Sequence, residues 1–94
     1  KAGMNAFSKT VALEEGKYNI TVNTVAPGKI AASGQNRGGD WDGIEKKQME
    51  ANPLGRFASP EDIAYAIMVF LIPENGYLTG QTIFAAGGEI MPMP

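Results

Sequence analysis

The amino-acid sequence predicts an α/β fold in which two short parallel strands with flanking helices form part of a doubly wound sheet, an incomplete domain rather than a closed one. Three observations support this. A helix-patterned segment over residues 1–15 runs into the β-branched stretch NITVNTV, residues 19–25, which stops at Pro27-Gly28. A second β-rich run, residues 82–86, ends at Gly87-Gly88, with helical segments between the two. The order helix, strand, loop with helix, helix, strand contains one β-α-β crossover, which is right-handed in nearly all sheets and makes its strands parallel. Two parallel strands make a poor sheet alone, because such strands need helices on both faces and neighbours at their edges.

In the first helix Met4, Phe7 and Val11 form one apolar stripe, while Ala2, Ala6 and Leu13 extend apolar character to a neighbouring face, so two covered sides are expected. No Ser, Thr, Asp or Asn stands ahead of this run to cap it, so the chain is expected to open inside a structural unit. Gly16 is expected to take the left-handed position that closes the helix, with Lys17 near its negative end. Residues 29–40 are rich in Gly, Ser and Asn and read as a loop, and residues 41–50 as a short helix interrupted by Gly43. Ser59-Pro60-Glu61-Asp62 is a helix start with a physical cause: a capping oxygen, a proline suited to the first turn and two carboxylates facing the positive end of the dipole. From residue 63 to 72 this helix is apolar on nearly every side, so covering one face with a sheet leaves another needing a partner. Pro73 and Asn75-Gly76 end it, and the tail EIMPMP is too rich in proline for regular structure.

The chain has 94 residues, 44% hydrophobic and 19% charged, which is ordinary for one small globular unit. A net charge of -2 without a Lys or Arg cluster argues against nucleic-acid or anionic-membrane partners. With no Cys and no His, disulfides, thiolate or imidazole metal sites and Ser-His or Cys-His nucleophiles are excluded within these residues. Cysteine-free composition fits a cytoplasmic protein. The longest apolar run, residues 64–72, is about half the roughly 20 residues that a membrane-spanning helix requires. There is no charged-then-apolar leader of the secretory type.

Three ordered segments carry a family resemblance. KAGMNAFSKTVALEEGKYNITVNTVAPG at residues 1–28, NPLGRFASPEDIA at 52–64 and LTGQTIFAAGG at 78–88 are similar to successive landmarks of the short-chain dehydrogenase/reductases. They resemble 3-oxoacyl-reductase and glucose-dehydrogenase-like members in particular. The resemblance implies the C-terminal half of a Rossmann-like doubly wound sheet, with residues 1–94 as the C-terminal part of a single NAD(P)-binding domain. It also implies an oxidoreductase that uses NAD or NADP to interconvert a small-molecule alcohol and a carbonyl compound.

In that family Lys1 corresponds to the lysine of Tyr-x-x-x-Lys. The four-residue spacing on a helix puts phenol and ammonium on one face, where the ammonium favours the ionised phenol and donates to the cofactor ribose. The tyrosine would precede residue 1, because four residues beyond Tyr18, Tyr65 and Tyr77 stand Val22, Val69 and Gln81. The family's catalytic Ser and polarising Asn are likewise expected upstream, since Ser8, Ser33 and Ser59 do not match their positions. The expected partner is therefore the missing N-terminal half of the same protein, and the 94 residues alone are expected to be inactive. Pro27, Gly28 and Ile30 correspond to the stretch that meets the nicotinamide, with the Ile backbone at its carboxamide. Where the family often has Thr two residues after that Ile, this chain has Ala32 followed by Ser33.

Residues 29–50, bearing Trp41, Ile44 and Met49, suit a substrate loop that closes over the site. Asn23 reads as a structural polar residue, and Arg56 and Asp62 as a pair that positions the capped helix. No GxGxxG follows a strand, so the dinucleotide phosphate cradle lies outside these residues. The resemblance further implies a homotetramer or homodimer, joined through the first helix, the Pro60 helix and the final strand. The rival from another class is a catalytically silent oligomerisation or interaction module, which the apolar circumference of residues 63–72 favours.

Overall fold

We describe residues 2–30 and 41–88 from a computed structural model, with the backbone alone described at residues 2 and 41–44. Helix α1, Ala2–Glu15, leads through a 3₁₀ turn, Gly16–Tyr18, to strand β1, Thr24–Pro27. Helices α2, Trp41–Ala51, and α3, Pro60–Leu71, follow, then a 3₁₀ turn, Pro73–Asn75, and strand β2, Thr82–Ala85. The strands pair in parallel, with Thr24 opposite Thr82 and Pro27 opposite Ala85. The predicted α/β order and parallel sheet are therefore observed.

Several local expectations are corrected. Gly16 is not the left-handed residue; the helix tightens into the 3₁₀ turn and Asn19 takes that position at φ 61°, as its short polar side chain allows. Strand β1 begins five residues later than the β-branched pattern suggested and continues through Pro27. The N–H groups of Thr24 and Gly28 point at β2, donating to the carbonyls of Gln81 (2.8 Å) and Ala85 (3.1 Å). By alternation Pro27, which has no N–H, faces the opposite edge, where the lack removes no ladder bond.

Ahead of β1 the Gly80 N–H donates to the Val22 carbonyl at 2.8 Å, and side chains add to this hold. Thr79 Oγ1 accepts from Val22 N–H at 3.1 Å, and Asn23 donates to the Leu78 carbonyl at 2.9 Å while accepting from Gln81 N–H at 3.1 Å. Asn23 thus has the structural role read from the sequence. Gly43 does not interrupt α2, which is continuous in backbone. The second strand closes at Ala85, one residue early, where the chain turns into the left-handed Gly87 and Gly88.

Helix α3 starts as its sequence dictates. Ser59 Oγ accepts from Asp62 N–H at 3.2 Å, and the Asp62 carboxylate accepts from Ser59 N–H at 2.9 Å, a reciprocal capping box. Arg56 donates to the same carboxylate at 2.7 Å and to the Phe57 carbonyl at 3.2 Å, so the loop before the helix is tied to its first turn. Half-buried Ile63, Ala66 and Phe70 recur at helical spacing on the face packed toward the strands. The opposite face is open, with Tyr65 67% and Leu71 70% exposed. Helix α1 is more open than its two apolar faces suggested: Phe7 and Leu13 are exposed, and the buried residue is Ala12, which lies beside Gly80.

The Asp62 carboxyl is held well below the ordinary carboxylate range, first by the Arg56 hydrogen bond and then by the Ser59 N–H. A lowered folded-state value means that the associated stability is fully present above the unfolded carboxylate range, near pH 4, and is lost as pH falls through the folded value. In urea titrations Asp62→Asn should therefore flatten the acid limb of stability against pH below about 4. Ser59→Ala should lower stability by about 1 kcal/mol at every pH.

Candidate functional site

The carboxyl ends of both strands open onto one cleft of about 180 Å³, lined by Lys29, Asn52, Leu54, Ala86 and Gly87 among others. This is the end of an open α/β sheet where ligands bind. Three chain segments meet there. Residues 27–30 leave β1, residues 52–58 run from α2 to α3, and residues 85–88 leave β2.

Each segment is fixed by backbone contacts to the others. The Lys29 carbonyl accepts from Ala58 N–H at 2.9 Å, and Ile30 forms an isolated parallel bridge with Ala58. With the Lys29 carbonyl turned to Ala58, strand alternation turns the N–H and C=O of Ile30 away from the Ala58 segment. The Lys29 ammonium lies 5.6 Å from the centre of the Phe57 ring, a cation-π contact that holds the same two segments together.

Glycine at 28 has a local packing reason. A Cβ built on it would meet the Ala86 Cβ at 2.9 Å and the Ala86 Cα at 3.0 Å. The space its missing side chain leaves is filled by Ala86, so glycine here permits packing between two backbones and does not clear a face for a ligand.

Of the other site residues named from sequence, Pro27 is exposed at the strand end and Met49 is half-buried on α2. Trp41 and Ile44 belong to α2 by backbone, but their side chains, like Lys1 and residues 31–40, lie outside the described residues. Sequence reasoning missed Asn52. It is 7% exposed, donates to the Ala86 carbonyl at 3.1 Å and accepts from Leu54 N–H at 2.8 Å. The signal was present in Asn52-Pro53-Leu54-Gly55, which has Asn, Pro and Gly at the first, second and fourth positions of a turn, closed here by Gly55 N–H to the Asn52 carbonyl at 2.8 Å.

Comparison with known proteins places this geometry. The family model described as Enoyl-(Acyl carrier protein) reductase matches residues 1–89. The chain is 36% identical over 94 residues to the short-chain reductase protein NovJ of Streptomyces niveus, covering 95% of this chain and 36% of that protein. It is 39% identical over 95 residues to the 3-oxoacyl-[acyl-carrier-protein] reductase FabG of Rickettsia conorii, covering 97% of this chain and 37% of that protein. A solved short-chain dehydrogenase family protein from Francisella tularensis superposes with a TM-score of 0.82 at 31% identity, over 95% of this chain and 40% of that one. The chain thus spans little more than a third of the curated relatives it matches.

Gly28→Ala should destabilise the full protein by about 2 kcal/mol, since the added methyl must displace Ala86 backbone. Urea unfolding is the measurement, and Ala86→Gly in the same chain should recover part of the loss.

Proposed function

The chain belongs to the short-chain dehydrogenase/reductase family, and we propose that the protein is an NAD- or NADP-dependent oxidoreductase interconverting a small-molecule alcohol and a carbonyl compound. The observation that supports this best is the cleft at the carboxyl ends of β1 and β2, with Lys29 on one wall, in a chain matched by the family over residues 1–89. When bound, the nicotinamide supplies or accepts the hydride. Pro27 and Gly28 set the course of the chain past the cleft, and the Ile30 backbone orients the carboxamide.

Lys1 keeps a phenol ionisable and holds the ribose. Among the 94 residues no Tyr stands four positions before a Lys, so this chemistry takes its phenol from protein outside them. Residues 29–50, with Trp41, Ile44 and Met49, shape the substrate side. The protein works in the cytoplasm as a homodimer or homotetramer, and the open faces of α1 and α3 support that assembly. Among the described residues no helix is long and apolar enough to cross a membrane.

A second reading, a catalytically silent interaction module, is favoured by the exposed Tyr65, Met68 and Leu71 of α3. Following NADH or NADPH absorbance with carbonyl substrates separates the two. The full protein should turn over, the 94 residues alone should not, and Lys1→Ala in the full protein should cost at least about 100-fold in kcat/KM. Absence of turnover by the full protein with any carbonyl class tried would favour the silent module, and unchanged turnover in Lys1→Ala would remove Lys1 from the catalytic role.

A further inference from the structure

Resting on the oxidoreductase role above, we propose that Asn52 is a positioning residue that locks the carboxyl end of α2, and with it the substrate side of the cleft, to the turn after β2 on which the cofactor-side segment also sits. Every polar group of Asn52 has a partner. Its N–H donates to the Met49 carbonyl at 3.1 Å within the last turn of α2, and its carbonyl accepts from Gly55. Its side chain donates to the Ala86 carbonyl and accepts from Leu54 N–H, which also reaches the Gly87 carbonyl at 3.3 Å. Among the described residues Asn52 is the buried polar side chain, and Ala12 and Ala86 are the buried apolar ones. An amide buried to this degree must be fully hydrogen-bonded, so its partners are fixed with it.

The fit is interlocked from the other side as well. A Cβ on Gly87, whose φ is +62°, would meet Asn52 Oδ1 at 2.6 Å. Ala86 meanwhile fills the space left by Gly28. The same two residues therefore touch the cofactor-side turn through packing and the α2 end through hydrogen bonds. Asn52 also lines the cleft, together with Leu54, Ala86 and Gly87. Loss of its amide would free the end of α2 while leaving the Gly28 contact to Ala86 intact. The consequence is a defect confined to the substrate side.

The test uses the full protein with Asn52→Ala and Asn52→Asp, the second of which keeps the Leu54 acceptor but sets an oxygen against the Ala86 carbonyl. Both should raise KM for the carbonyl substrate roughly five-fold or more while leaving KM for the nicotinamide within about two-fold. Amide hydrogen exchange should quicken roughly ten-fold or more over residues 49–55 and stay unchanged in β1 and β2. Gly87→Ala should reproduce the KM defect, and its combination with Asn52→Ala should be less severe than the two effects multiplied. Equal loss of affinity for substrate and nicotinamide, or exchange that quickens equally in both strands, would overturn the proposal. If the wild-type protein shows no nicotinamide-linked turnover, the oxidoreductase role fails, and the exchange pattern alone decides whether Asn52 locks α2.

Discussion

The close approach of three backbone segments at Ala86 is the constraint on which the rest of the structure depends. Gly28 can lie against Ala86 because it has no Cβ, and its N–H then reaches the Ala85 carbonyl. Asn52 can reach the Ala86 carbonyl because Gly87 leaves its side chain room. Beyond Asn52 the loop is carried to α3 by Arg56 and the Asp62 carboxylate, and α3 returns over the strands. A larger residue at 28 would press on the Ala86 backbone, which cannot yield as the end of a flexible side chain can, and one at 87 would push the Asn52 side chain off its partners and add strain at a positive φ. Small residues here set the geometry of the cleft more firmly than any large hydrophobic contact does.

Large hydrophobic contacts are scarce in any case. The accessible surface is 7299 Å², against about 5,200 Å² for a compact monomer of this mass, and the radius of gyration is 16.3 Å against about 12 Å. Exposed apolar residues lie on α1 and α3, and beside β1 a groove of about 460 Å³ is lined by Val25, Ile67, Phe70 and Leu71 with polar neighbours. An exposed parallel strand edge next to an apolar helix face is not a stable surface in water. Apolar faces of this kind are ones that other protein surface commonly covers, and the chain spans little more than a third of its curated relatives.

What was legible in the sequence follows from how local each signal is. The α3 cap was readable because Ser59, Pro60 and Asp62 act within one turn, and the Arg56 pair because it spans only six residues. The parallel sheet was readable from element order. The start of β1 was not, because Ile20, Thr21 and Val22 satisfy strand propensity but lie beyond the register that begins at Thr24 and Thr82. Gly16 and Asn19 are both capable of the left-handed conformation, and the intervening 3₁₀ turn decides between them. In the site, residues 27–30 were singled out by resemblance, but the packing that Gly28 permits depends on Ala86, far along the chain, and so could not be read locally. Asn52 was hidden in the same way: its turn is local, but its burial is made by the end of β2.

That last distinction bears on how such a site tolerates change. A ligand face made of side chains would restrict residue types at every contact. In the turn after β1 the Gly28 backbone packs against Ala86 and Lys29 lies over Phe57, while Pro27 and Ile30 are exposed. Recognition by main chain constrains the path of the backbone and leaves most residue identities free, provided that the few close approaches keep their small residues. The close approaches that an added Cβ would disturb are those of Gly28 with Ala86 and of Gly87 with the Asn52 side chain, and these two glycines should resist substitution.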